Sequence, residues 1–305
     1  MGHAAGDADG RADGPAALTT RSTSLLFAAA FVAAAPPLGA QTWRTLTSAR
    51  QYHGEDSLAV SVTYAAGEFR LGPGEPGSLY RMELRYDEDR FTPVRVYDPE
   101  GPRLTLGVRG PARGVSFASR RGGGPAQSLD VFLSPEVPLR LNLELGAVRS
   151  WVDLGGLALR SVRYRTGASE TELRFSRPNR ERCDLLVLEA GAAGFRAFSI
   201  GNANCRQVRF SGGMGEVSLD FSGSWQGEMS ADLDVAVGSF TLMLPRDAGI
   251  AIRVSRFLAS FDKTGFVRRG DTYYSSRYDL ARRHLTIGIR AIFGGVDVVW
   301  TGDGR

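Results

Sequence analysis

Hydrophobic residues in this chain recur at every second position, and that period excludes most ways a chain can fold. Leu139, Leu141, Leu143 and Leu145 alternate with Arg140, Asn142 and Glu144. Leu58, Val60, Val62 and Tyr64 make a second run, Met82, Leu84 and Tyr86 a third, and Leu104, Leu106 and Val108 a fourth. Successive side chains of a strand point to opposite faces, so each run can bury one face and solvate the other. The 38 glycines among 305 residues favour turns over long helices. The pattern predicts an all-β fold.

The second half carries a repeat. Gly167, Gly191, Gly213 and Gly238 stand 24, 22 and 25 residues apart. Three residues before them lie Tyr164, Leu188, Phe210 and Val235, and five before lie Val162, Leu186, Val208 and Leu233. Six after come Leu173, Ala197, Leu219 and Leu244. Gly146 extends the series upstream, and Gly67 and Gly294 repeat the frame near the two ends. Glycine and hydrophobic residues are common enough here to match upstream by chance, so the weight rests on the spacing and the downstream match. A period of about 20–25 residues suits one turn of a β-solenoid, with like residues stacked on successive rungs. A glycine fixed in each turn suits a corner with positive φ. A β-sandwich with uneven hairpins is the alternative architecture.

Three regions follow from this: residues 1–40 as a leader, 41–127 as an N-terminal β region, and 128–302 as the solenoid. The Gly-, Arg- and Ser-rich stretch at 110–127 marks the boundary. Within 250–284 the repeat breaks, and the segment is read as a helical turn or plug followed by a Tyr-rich hairpin. It serves either to cap the open end of the stack or to meet a partner through Phe257, Phe261, Phe266, Tyr273 and Tyr274. The capping role is favoured.

Arg21 precedes an apolar run at residues 25–35, and helix breakers and small residues lead to Ala40. That order is a secretory signal peptide, with cleavage expected after Ala40. The run is too short to span a bilayer, and no later segment is apolar enough. The protein is therefore expected outside the cytoplasm, in the periplasm, on the surface or released. An oxidising compartment favours a disulfide between Cys183 and Cys205, the only cysteines. Each lies eight residues before a repeat glycine, which stacks them side by side on adjacent rungs. Two packed free thiols are the alternative, and the spacing excludes a CxxC metal or redox site.

Charge gives little direction. The net charge is +4 and Lys263 is the only lysine, so arginine carries almost all of the positive charge. No run of five like charges points to nucleic acid. The histidines are only His3, His53 and His284, too few for a His-rich metal site. Gly72-Pro73-Gly74-Glu75-Pro76-Gly77 fits a dinucleotide fingerprint in form only, because its prolines make a turn. Asp87-Glu88-Asp89 reads as a solvated turn, and Asp220, Asp232 and Asp234 fall at outward positions of strands. No acid/base pair, cofactor site or metal site emerges from these residues.

Several phrases together resemble the toast-rack family of bacterial envelope proteins. They are VPLRLNLELGAVRSWVDLGG (137–156), RTGASETELRF (165–175), GSFTLMLP (238–245), RFLASFDKTGFVRRGDTYY (256–274) and IFGGVDVVW (292–300). The resemblance spans about residues 45–302 and extends to the C-terminal domains of LiaF-like cell-wall-antibiotic-response proteins and to candidate adhesin head domains. It implies stacked β-rungs, export or membrane tethering, and no enzymatic residues. The expected function is non-enzymatic binding or scaffolding at the cell envelope, with a polysaccharide or protein partner. The rival is a β-helical carbohydrate-active enzyme that uses surface carboxylates. A module that self-associates edge to edge is a third possibility.

Overall fold

In a computed structural model, which describes residues 42–110 and 127–302, the alternating runs are strands. The first six are β1 (Trp43–Gln51), β2 (Leu58–Pro73), β3 (Ser78–Asp87), β4 (Thr92–Asp98), β5 (Arg103–Arg109) and β6 (Ser128–Leu133). β7 (Pro138–Asp153), β8 (Ala158–Thr166), β9 (Ser169–Arg174), β10 (Cys183–Phe198), β11 (Cys205–Asp220) and β12 (Glu228–Pro245) follow. β13 (Gly249–Phe261), β14 (Phe266–Arg269), β15 (Thr272–Ser275) and β16 (His284–Thr301) complete the series. The apolar leader run and its Ala40 junction lie outside the described residues, as do residues 111–126.

The long strands pair in parallel, in the order β2, β7, β8 with β9, β10, β11, β12, β16 and β13. Each long strand has two limbs. Residues 138–145 of β7 pair with β8, and residues 149–153 pair with β9. β8 and β9 are thus the two limbs of one rung. Inward side chains of both limbs form the core, through which Tyr164, Phe195, Phe210 and Phe240 run as an aromatic column with centroids 5.6–6.3 Å apart. Each such buried ring or aliphatic chain contributes about 1.5–3 kcal/mol.

At the N-terminal end the limbs are covered separately. The first limb of β2 pairs with β5, and β5 with β4; the second limb pairs with β6, then β3, then β1. Because β2 also pairs with β7, the parallel ladder starts at Leu58 and runs past the expected boundary at 127. The described residues form one compact unit.

The 250–284 segment also differs from expectation. Residues 249–261 are a strand, β13, paired over both limbs with β16, and only β14 and β15 form a hairpin on its outer edge. The repeat was obscured because Ala259 stands where β16 has Gly294. A second departure concerns order: β16, the last strand, lies between β12 and β13.

The glycines form two columns. Gly146, Gly167, Gly191 and Gly213 stack carbonyl to Cα, and a Cβ on any of them would lie 2.2–3.2 Å from the carbonyl oxygen of the preceding rung. Close approach, and not positive φ, requires glycine there. Positive φ belongs to the second column, Gly67, Gly215, Gly238 and Gly294, two residues further along the rungs. Gly238 therefore pairs with Gly215 and not with the expected Gly213, and Leu242, not Leu244, faces Leu219. A shift of two residues keeps every side chain on its own face, so alternation could not detect it.

The turns that close the rungs are tied by asparagines. Asn179, buried, donates from Nδ2 to the carbonyls of Leu159 (2.8 Å) and Ala203 (3.0 Å) and accepts from the Leu159 N–H (3.0 Å). Asn202 and Asn204 repeat the device, donating to the Phe175 and Glu181 carbonyls at 2.9 and 3.2 Å. One asparagine thereby satisfies buried backbone groups of two neighbouring rungs, as buried polar groups require.

Candidate binding surface

The outward side chains of the first limb form rows across the rungs. One row reads Glu144, Arg165, Glu189, Ser211, Asp234 and Arg290. Its charges are matched: Arg165 meets Glu189 at 2.9 Å, and Arg290 grips both carboxylate oxygens of Asp234. That hydrogen bonding, with the carboxylate charge, raises the Arg290 guanidinium above its ordinary value. Pairs this exposed contribute about 0–1 kcal/mol and serve register more than stability.

The next row is different. Arg163, Val187 and Arg209 are consecutive neighbours, with rungs about 4.8 Å apart. Val187 faces outward yet is 8% exposed, and Leu185 beside it is half-buried. Long arginine stems covering apolar neighbours account for this. Arg209 donates to Gln207 Oε1 (3.1 Å), and Gln207 donates in turn to Asp232 (3.1 Å). Among the described residues, Arg140 and Arg163 have no carboxylate within ion-pair distance. The result is an apolar strip flanked by guanidinium groups.

The aromatic residues singled out from the sequence lie elsewhere and mostly face inward. Phe261 and Tyr273 are buried, with centroids 5.3 Å apart, and Phe266 packs on Phe261 and on Trp300 at 6.0 and 5.0 Å. Tyr274 is half-buried against Tyr278 at 4.8 Å. The Phe257 side chain lies outside the described residues. Phe261 and Tyr273 thus fill the junction between β13 and its hairpin, while Phe266 and Tyr274 remain half-exposed.

Cys183 and Cys205 face each other in register, with Cα atoms 4.1 Å apart, and are joined by a disulfide. Closing a loop of 22 residues contributes about 3 kcal/mol in the chain-entropy model. Reduction, or a Cys183→Ala/Cys205→Ala double substitution, is expected to lower unfolding stability by about that amount. Denaturant unfolding with and without reductant measures it, and identical midpoints would count against the bond.

A family profile for the N-terminal domain of toast_rack, DUF2154, matches residues 41–195. The chain belongs to the toast-rack family. No curated protein matches this toast-rack chain. Among solved structures it is similar to a candidate cell adhesion protein from Clostridium sporogenes, at 17% identity and TM-score 0.46, covering 85% of this chain and 100% of that one. It is also similar to a candidate adhesin from Bacteroides fragilis, at 9% identity and TM-score 0.40, covering 84% and 97%. A candidate adhesin from Parabacteroides merdae follows at 11% identity and TM-score 0.33, covering 85% and 95%.

The acidic residues of this toast-rack protein are largely engaged. Asp220, expected to point outward, is buried and accepts hydrogen bonds from Ser199 N (3.1 Å), Ser222 N (2.8 Å) and Ser222 Oγ (2.7 Å). It fixes a closing turn, because the strand ends there and its parity no longer holds. Asp87 is buried at the mouth of a turn and accepts from Asp89 N at 3.2 Å. Asp232 and Asp234 face outward, as described. A hydroxyl trio of Ser150, Tyr164 and Thr171 lies in the core at 2.8–3.1 Å. Burial pushes the Tyr164 phenol up, so it stays protonated and structural. Among the described residues no three His, Cys, Asp or Glu side chains converge to hold a metal ion, and no helix is long and apolar enough to cross a membrane.

Proposed function

We propose that this toast-rack protein is an exported, non-enzymatic β-solenoid that binds or scaffolds at the bacterial cell envelope, its partner an envelope polysaccharide or protein. Export follows from the leader sequence at residues 1–40. The observation that carries the binding reading is the outward row of the first limb. Arg140, Arg163 and Arg209 surround Leu185 and Val187 on one rigid ladder. Guanidinium groups whose stems lie over apolar neighbours suit an extended polymer with acidic groups, since regular rungs present contacts at a constant spacing.

Co-sedimentation of the chain from residue 41 onward with purified envelopes and wall polysaccharide tests this. Saturable pelleting is expected, falling severalfold between about 0.05 and 0.5 M salt as charge is screened. An Arg163→Ser/Arg209→Ser double variant should pellet less while keeping its unfolding midpoint. Absence of pelleting by folded protein, or hydrolysis of the polysaccharide, would overturn the reading.

A further inference from the structure

A cleft of about 880 Å3 opens at the C-terminal end of the stack. Several chain segments meet there: the turn at Ser222 and Gly223, the turn after β12 with Arg246 and Asp247, the turn at Thr264, the stretch from Ser275 to Arg277, Arg283, and the end of β16 with Trp300 and Thr301. The volume lies in the range of small-ligand sites.

Its charges are unequally used. Arg283 is pinned, donating from Nη2 to both Asp247 oxygens (2.8 and 2.7 Å) and from Nη1 to the Gly223 carbonyl (2.7 Å), with its guanidinium 4.2 Å from the Trp225 ring. The nearby acids are also engaged: Asp262 accepts from the Thr264 hydroxyl and N–H, and Asp279 holds Arg269 at 3.0 Å. Arg246 and Arg277 are exposed and, among the described residues, meet no carboxylate. Among the described residues, no acid offsets the positive charge of either.

The wall beside them is aromatic and fixed. Trp300 Nε1 donates to the Thr264 carbonyl at 3.0 Å, its ring packs on Phe266 at 5.0 Å, and the Arg246 guanidinium stands 6.0 Å from its centroid. Thr301, next along the strand, has a buried hydroxyl with no hydrogen-bond partner. A bare anion would have no use for the indole, and an apolar ligand none for the arginines. A sugar ring with an acidic substituent uses all three: apolar ring faces, hydroxyls and charge.

We propose that this cleft binds a carboxylate-bearing saccharide unit, with the acid taken by Arg246 and Arg277 and the sugar ring against Trp300. The cleft is separate from the arginine row of the first limb, and the two can fail independently.

Isothermal titration of the chain from residue 41 onward with trigalacturonate, with neutral galactotriose and with inorganic phosphate tests the proposal. Trigalacturonate is expected to bind, and galactotriose to bind at least about tenfold more weakly, since charge-assisted contacts to both arginines are lost. An Arg246→Ala/Arg277→Ala variant should lose about tenfold in trigalacturonate affinity. Its unfolding midpoint should not change, because both side chains are exposed. Equal affinity for galactotriose, phosphate binding as tight as trigalacturonate, undiminished binding by the double variant, or no binding at all would overturn it. Envelope pelleting that persists in this variant and falls in the Arg163→Ser/Arg209→Ser variant would separate failure of the cleft from failure of the envelope-binding function.

Discussion

A chain ending at residue 283 is expected not to fold. It lacks β16, which pairs along its length with β12 on one side and with β13 on the other. Leu285, Ile287, Ile289, Val296 and Val298 are all buried. At about 1.5–3 kcal/mol for each side chain, their loss is comparable to the whole stability of an ordinary domain. Two unpaired parallel edges would also be left open, which invites aggregation. Far-ultraviolet circular dichroism and sedimentation velocity of the truncated chain check this. A soluble monomer with a cooperative transition would show that β16 is an addition to a stack already complete without it.

The second large effect is expected from one methyl group. Gly238→Ala places a Cβ 2.0 Å from the Gly215 carbonyl oxygen, at φ 139°, where side chains rarely sit. Both the contact and the φ strain fall on backbone, and neither can relax by a rotamer change. The cost should be about 3–5 kcal/mol, at the upper end for a point substitution. Gly194→Ala is the control, because nothing lies within 4 Å of its added Cβ. It should stay within about 0.5 kcal/mol. Urea unfolding of the two variants side by side gives the comparison, and similar losses in both would refute the stacking argument.

Much of the architecture was legible because alternation reports directly which face of a strand is buried. Leu139, Leu141, Leu143 and Leu145 are buried, and Arg140 and Glu144 are exposed. Cys183 and Cys205 could be stacked on each other because their rung has the same phase as its glycine. The limits have the same origin. A two-residue slip between Gly213 and Gly238 changes no face, and the neighbours of Gly238 had to come from the ladder itself. Strand order is also invisible to alternation, because β13 and β16 show the same inward pattern and either could follow β12. The aromatic residues of β13 and its hairpin looked exposed because composition does not show that Phe261, Phe266 and Tyr273 pack on one another. The cleft draws on segments from Ser222 to Gly302 and leaves no local signature. The asparagine ties could have been found: Asn179 and Asn202 sit 23 residues apart, one rung's length, just after strand-like runs.

The position of the final strand also sets an order of events. From β7 to β12 each new rung lies against the one made about 20–24 residues earlier, so a chain emerging from its N-terminus can zip as it appears. After β12 that sequence halts. β13 and its hairpin have no place to dock until residues 284–301 arrive, 56 residues after their partners in β12. A copy that stops before residue 284 therefore keeps an open edge along β12, in a form that proteases and chaperones can recognise.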